Sequence, residues 1–324
     1  MRKSVQRGDS YDEYVRKKLT VHPPSGIAQP VINVTRLFPF QRDLVMWGLR
    51  RGRAAVFADT GLGKSGMQVA WADSVSHYTS GDVLILAPLA VAAQTVAEGV
   101  ACGVEVTLCR DGADVRPGVN ITNYDRIHRF DASRFSGVVL DESSCIKHHE
   151  AKTLAILMDA FSSLPFRFCA TATPAPNDWT ELGTHAEFLG VCTRAEMLAE
   201  FFCHDGGETQ TWRLKGHART AFWRWVASWG AMVRKPSDIG YDDAGYDLPP
   251  IEVVSRTVPT DAATLREGGV LFAQEAASLM DRRNARRGSI TARVEMCAAE
   301  VMSEPDEPWI VWCDLNAESE ALTK

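Results

Sequence analysis

Four side chains set the terms on which this sequence can do chemistry. Lys64 and Ser65 close the stretch AAVFADTGLGKS (54–65), and Asp141 and Glu142 close GVVLDE (137–142). A lysine behind a glycine-bearing loop, with a hydroxyl residue after it at a helix start, suits the gripping of phosphates. Loop N–H groups and the positive end of the helix face the anion, Lys64 reaches the outer phosphates, and the Ser65 hydroxyl ligates Mg²⁺. Gly61 and Gly63, within Thr60–Gly63, give the loop backbone angles that a side chain would forbid. The usual spacing is G-x-x-x-x-G-K-[ST], and Ala58 stands here at its first glycine. The acidic pair supplies the other half of the reaction. Asp141 can serve the Mg²⁺ shell, and Glu142 can orient and deprotonate an attacking water.

Such residues need elements to hold them. Ala54–Ala58 reads as a strand buried on both faces, and Lys64 opens a helix. The pattern then alternates: strands at Asp82–Ala87, Val104–Cys109, Val119–Thr122, Gly137–Leu140 and Phe166–Ala172, helices at Ala90–Gly99 and Ala151–Phe161. Apolar strands alternating with helices predict a parallel sheet covered on both faces, an α/β fold whose ligands sit at the carboxyl ends of the strands. Thr60–Ser65, Asp141–Glu142 and Thr171–Thr173 all fall at such ends. Ahead of the loop, LFPFQRDLVMWGLRR (37–51) reads as an amphipathic helix started by Pro39. It carries Gln41, whose amide can donate to and accept from an adenine edge at once.

The rest of the chain bounds the possibilities. Its 324 residues suffice for one large domain or two ordinary ones, and 45% hydrophobic with 23% charged residues marks a soluble globular chain. No run approaches a membrane span, and the charged N-terminus lacks the apolar stretch of a secretory signal. Eight scattered cysteines form no C-x-x-C pair and read as buried, reduced thiols of a cytoplasmic protein; Cys192, Cys203 and His204 fit no standard zinc spacing. A net charge of −6 leaves any nucleic-acid contact to a local stripe. One candidate is Trp212–Lys235, which holds six basic residues, Arg213 and Lys215 among them, four tryptophans and no acid. Another is the block Arg282–Arg287. Residues 1–30 read as an extension with a short helix at Tyr11–Leu19, and Tyr241–Pro250 as a linker. Thr264–Glu300 reads as helical, Trp309–Cys313 as a strand, and a helix starts at Ala317.

Taken in order, ADTGLGKS, LILAPLAVAAQ, ITNYD, VVLDESS and CATATPAPN resemble the first motor lobe of superfamily-two DExx-box helicases and translocases. NDWTELGTHAEFL (177–189) and MVRKPSDIGYDDAGYDLPPIE (232–252) resemble the Swi/Snf-like branch, in the compact form of phages and prophages. The resemblance covers about residues 37–324. It implies a RecA-like ATP-binding lobe over 31–248 with a helical insertion near 190–240. A linker and the start of a second RecA-like lobe would occupy 249–324. It further implies ATP and Mg²⁺ as cofactors and DNA as partner, duplex favoured and RNA an alternative, with a protein partner possible and no membrane.

By position, Gln41 would read adenine, and Thr60, Gly61, Leu62, Gly63, Lys64 and Ser65 would hold the phosphates. Ser65 and Asp141 would serve the metal, and Lys64, Asp141 and Glu142 the catalysis. Thr171 and Thr173 would couple nucleotide state to lobe closure. Pro88, Leu89, Asn123, Tyr124, Arg213 and Lys215 would lie along nucleic acid. DESS (141–144) departs from the family's DEAH or DEAD, which leaves hydrolysis in place and the subtype open. The later motifs of a second lobe do not follow within the 324 residues, so the expectation is a truncated or naturally partial motor with slow turnover. Rival readings are a nucleotide-gated DNA-binding module without motor activity and the motor subunit of a restriction or defence system.

Overall fold

The computed structural model describes residues 22–146, 152–205, 208–247, 249–258 and 279–323. They fall into two compact units divided between Leu248 and Pro249.

The first unit is built on seven parallel strands: β1 Arg53–Ala58, β2 Asp82–Ala87, β3 Val106–Leu108, β4 Val119–Asn123, β5 Phe135–Asp141, β6 Phe166–Ala170 and β9 Gly230–Val233. Their spatial order is β3-β4-β2-β5-β6-β1-β9, every pairing parallel. The strands are apolar almost throughout because both faces are covered. Side chains alternate across the sheet: Val83, Ile85 and Ala87 of β2 enter one core, Leu84 and Leu86 the other. The first core is closed by α1 Pro39–Arg51, α2 Lys64–Thr79 and α3 Ala92–Cys102. The second is closed by α4 Lys152–Phe161, α5 Leu182–Phe188, α6 Arg194–Phe201 and α7 Arg219–Val226. Trp71 of α2 stacks on Phe168 of β6 with ring centroids 5.1 Å apart, which seats the helix behind the phosphate loop.

The topology makes three site-bearing strands neighbours. β5, β6 and β1 lie side by side, and they end in Asp141–Glu142, Thr171–Thr173 and the loop before Lys64 respectively.

Several expectations are corrected. The segment at 190–240 is not purely helical: it holds an antiparallel hairpin, β7 Phe202–Asp205 with β8 Glu208–Leu214, and then β9, which pairs with β1. The sequence Gly-Ala-Met-Val is a weak strand signal by itself, and β9 forms because β1 offers a free edge. Residues 22–30 are not a solvated extension. Ile27 N–H donates to Leu49 O at 2.9 Å, and Ile27, Ile32 and Val34 are buried in the first core. The helix expected at Tyr11–Leu19 lies outside the described residues.

The second unit holds α8 Leu279–Gly288, α9 Ile290–Ser303 and α10 Asn316–Leu322. They are linked by ion pairs Arg293–Glu318, Arg286–Asp314 and Arg256–Glu300, the last at 2.9 Å. Part of the helical run expected from Thr264 lies outside the described residues. Trp309–Cys313 is expected as a strand; it forms none among the described residues, and Trp312 is 92% exposed. A strand needs a neighbour to accept its N–H groups, and none stands beside it among the described residues. Cys313 is therefore exposed rather than buried, as is Cys145; Cys102, Cys109 and Cys169 are buried, and all eight thiols are free.

Candidate nucleotide site and adjoining cleft

The loop after β1 is shaped by its two glycines. Gly61 and Gly63 have φ of +85° and +73°, left-handed angles that favour residues without Cβ. Leu62 between them is buried in the first core, so its side chain pins the loop while its neighbours stay exposed. Lys64 turns back over the loop, and its Nζ donates to Ala58 O at 3.0 Å and Asp59 O at 3.1 Å. Burial lowers its pKa, while Glu142, Asp141 and Asp59 pull it back up. Ser65 follows in the first turn of α2, half-buried.

Gln41 is placed against this loop. Its Oε1 accepts from Phe38 N–H at 3.0 Å and its Nε2 donates to Leu62 O at 2.9 Å, with the residue 6% exposed. Both ends of the amide are thus committed to backbone, and in this arrangement Gln41 braces the loop rather than presenting an edge to a base. A Cβ on Gly63 would lie 2.3 Å from Gln41 Nε2, which explains how closely the two segments meet.

Asp141 ends β5, 7% exposed. Its Oδ1 accepts from Gln68 Nε2 at 2.7 Å and from Glu142 N–H at 3.0 Å, leaving Oδ2 without a hydrogen bond among the described residues. Burial raises the Asp141 pKa, and those two donors oppose the rise. Gln68 escaped the sequence reading. It lies four residues beyond Lys64, one turn along the same helix face, and that spacing was the available signal.

Glu142 has φ of +48°, unusual for a residue with a side chain. The left-handed conformation costs about 1–2 kcal/mol, and such strain gathers at functional sites. Its Oε1 accepts from Thr171 Oγ1 at 2.7 Å and Ser144 Oγ at 2.6 Å. Thr171 Oγ1 in turn accepts from Thr173 N–H at 3.1 Å. The Thr173 side chain lines a separate hollow with Asp59, Trp179 and Arg234.

Ser143, the third residue of DESS, faces inward. Its Oγ lies 3.1 Å from His185 Nε2, and His185 packs edge-on to Phe57 with ring centroids 5.3 Å apart. Burial pushes the His185 pKa down to about 4. The unfolded chain takes a proton near 6.5 and the folded chain only near 4, so stability is full above 6.5 and falls as pH drops toward 4. The loss at the acid end is about 3 kcal/mol. Replacing His185 with Phe is expected to flatten that acid limb, as measured by chemical denaturation across the same pH range.

A cleft of about 420 Å³ opens beside Glu142, lined by Pro88, Leu89, Asn123, Tyr124, Ser144 and Cys145 among others. It brings together the strand ends of β2, β4 and β5. Four of the six residues expected along nucleic acid line it. Arg213 and Lys215 do not. Arg213 is on β8, paired with Cys203 across the hairpin, and Lys215 Nζ caps the end of α6 by donating to Ala199 O and Glu200 O, both at 2.8 Å.

The residues fit a nucleoside triphosphate with Mg²⁺. Lys64 and the start of α2 are donors only, a Cβ at Gly61 would meet nothing within 4 Å, and Asp141 Oδ2 with the Ser65 hydroxyl are hard oxygen ligands. Gln68→Leu tests what the Asp141 carboxylate gains from its donor. Deleting its donor is expected to cost about 1.5–3 kcal/mol, the range for hydrogen bonds to charged groups. The Asp141 pKa, already raised, should rise further. Folded protein then holds that proton to higher pH than the unfolded chain, so stability falls as pH climbs through the interval. Denaturation should show the deficit of Gln68→Leu shrinking as pH falls well below the ordinary carboxylate range, to about pH 3 and under, where the carboxyl is protonated in both states.

A seven-stranded parallel sheet covered by helices on both faces, with a glycine loop leading from β1 into α2 and a carboxylate pair at the end of β5, is a RecA-like fold. Among solved structures, the SWI2/SNF2 ATPase core of Sulfolobus solfataricus in complex with double-stranded DNA is similar at TM-score 0.53 and 17% identity. That match covers 65% of this chain and 47% of the other. The same organism's SWI2/SNF2 ATPase core domain is similar at TM-score 0.51 and 18% identity, covering 71% and 50%. The chain thus spans about half the length of each. No protein-family model matches the sequence, and no curated protein does.

Proposed function

We propose that the chain is an ATP-dependent motor unit that acts on duplex DNA. The observation that carries this reading is the convergence, at the carboxyl ends of three adjacent strands, of Lys64, Asp141 with Glu142, and Thr171, beside a cleft that opens onto Glu142. In this reading Lys64 and the loop N–H groups grip the β- and γ-phosphates, and Ser65 and Asp141 hold Mg²⁺. Held there, Mg²⁺ would supply neutralisation of charge on the transferring phosphoryl group. Glu142 accepts a proton from the attacking water. Thr171, bonded to the same carboxylate, links the state of that base to the segment after β6. The cleft formed by Pro88, Leu89, Asn123 and Tyr124 takes a strand of the duplex. The Sulfolobus solfataricus core, solved on double-stranded DNA, supports duplex over single strands.

No helix among the described residues is long and apolar enough to cross a membrane. The test is steady-state ATP hydrolysis with and without duplex DNA at two salt concentrations. Duplex-stimulated turnover that weakens with salt is expected. Turnover indifferent to duplex, or absent with ATP still bound, would remove the motor reading in favour of a nucleotide-gated binding module.

A further inference from the structure

The peptide bond joining Asp141 to Glu142 is the most constrained link in the site. On one side it carries the metal carboxylate, on the other the base, and Glu142 is held at φ +48°. Its N–H is fixed by Asp141 Oδ1 at 3.0 Å. Its carbonyl, Asp141 O, accepts from the Tyr124 hydroxyl at 2.7 Å. Both ends of the strained peptide are therefore pinned, and one of the pins comes from outside the loop. Tyr124 stands directly after β4, and it lines the cleft beside Pro88, Leu89 and Asn123. Asn123 lines the same cleft with Oδ1 buried and unpartnered.

We infer that Tyr124 is a positioning residue that transmits occupancy of the cleft to the catalytic carboxylate. Its hydroxyl fixes the orientation of the Asp141–Glu142 peptide, and hence the direction in which Glu142 points. This rests on the motor reading above. A strand seated in the cleft bears on Tyr124 and Asn123. The Tyr124 side chain cannot shift without moving the carbonyl it holds. Rotation of that peptide swings Glu142 relative to Asp141, because one backbone bond joins the two. The path from cleft to base is one side chain and one peptide long, and the left-handed strain at Glu142 gives the peptide an alternative, relaxed arrangement to move toward.

Tyr124→Phe isolates the hydroxyl, since the ring and any stacking on nucleic acid remain. Duplex-saturated kcat of the full chain is expected to fall about ten-fold toward the basal value. The readout is the ratio of duplex-saturated to basal turnover, each taken at saturating ATP and duplex, and that ratio is expected to fall about ten-fold against wild type whatever the basal rate itself does. Full stimulation in the variant would overturn the coupling alone. An equal fall of basal and stimulated rates would also overturn it, because the hydroxyl would then only hold the site together. A wild-type chain indifferent to duplex would overturn the motor reading and the coupling with it. Amide exchange of the wild-type protein gives a second reading that needs no variant. Duplex is expected to slow exchange across 141–145, and unchanged exchange there with duplex bound elsewhere on the chain would refute the link.

Discussion

Replacing Lys64 with alanine is expected to lower ATP turnover about 10³-fold. Among the described residues, the ammonium is the cation placed over the glycine loop by direct bonds at its base, through the carbonyls of Ala58 and Asp59. Bound phosphates would compete with those carbonyls for the same Nζ. Charge builds on the β–γ oxygens as the phosphoryl group departs, so the lysine's contribution grows in the transition state and the loss should appear in kcat as well as in nucleotide affinity.

Folding should be affected only modestly by the same change. Two carbonyls lose a donor: Asp59 is exposed to water, Ala58 is a fully buried residue at the end of β1, and a half-buried charge is removed with them. Lys64→Arg should not rescue, because a planar fork does not occupy the point position of an ammonium between two carbonyls. The wild-type pH profile carries a related signature. Burial lowers the Lys64 pKa, so the alkaline limb of turnover should begin below the range of a free lysine and vanish in Lys64→Ala. Turnover within ten-fold of wild type in Lys64→Ala would mean that hydrolysis does not run through this loop.

Those two halves of the site were legible in the sequence for different reasons. The glycine loop is a local device: its glycines, lysine and serine fall within eight residues, and spacing alone specifies the loop and the helix start. The acidic pair is legible because it ends an apolar strand, and a parallel sheet sends all such ends to one edge. What spacing could not show is side-chain partnership across strands. Gln68 meets Asp141 only because α2 packs beneath β5, and Thr171 meets Glu142 only because β6 is the neighbour of β5.

Lys215 and Gln41 show what else such side chains hold. A basic residue in a tryptophan-rich segment reads as a phosphate contact, yet its ammonium ends α6. A glutamine ahead of the loop reads as a base reader, yet both amide ends hold backbone. In each case an unsatisfied main-chain group, invisible in the sequence, competes for the side chain. β9 was missed for the related reason that an edge strand draws its stability from its partner and not from its own residues.

Glu142→Gln separates chemistry from architecture at the base. The glutamine keeps an oxygen where Oε1 accepts from Thr171 and Ser144, and these two hydroxyl donors select that orientation of the amide over its flip. The left-handed backbone and the peptide to Asp141 are unchanged by the substitution. What is lost is the ability to accept a proton from water. Turnover is expected to fall about 10²–10⁴-fold, the usual worth of a general base, with ATP binding retained.

Glu142→Ala should behave differently. It strips the acceptor from Thr171, whose residue is fully buried, and leaves a hydroxyl unpaired. That adds a stability loss of about 1–3 kcal/mol to the catalytic defect. Denaturation and single-turnover kinetics on both variants distinguish the contributions. A Gln variant as stable as wild type but unable to turn over, beside an Ala variant that is also destabilised, fits a base held by its neighbours' hydroxyls. A Gln variant that hydrolyses ATP at the wild-type rate would transfer the role of base to another group, and the two hydroxyl bonds to Glu142 would then serve the turn after β5 alone.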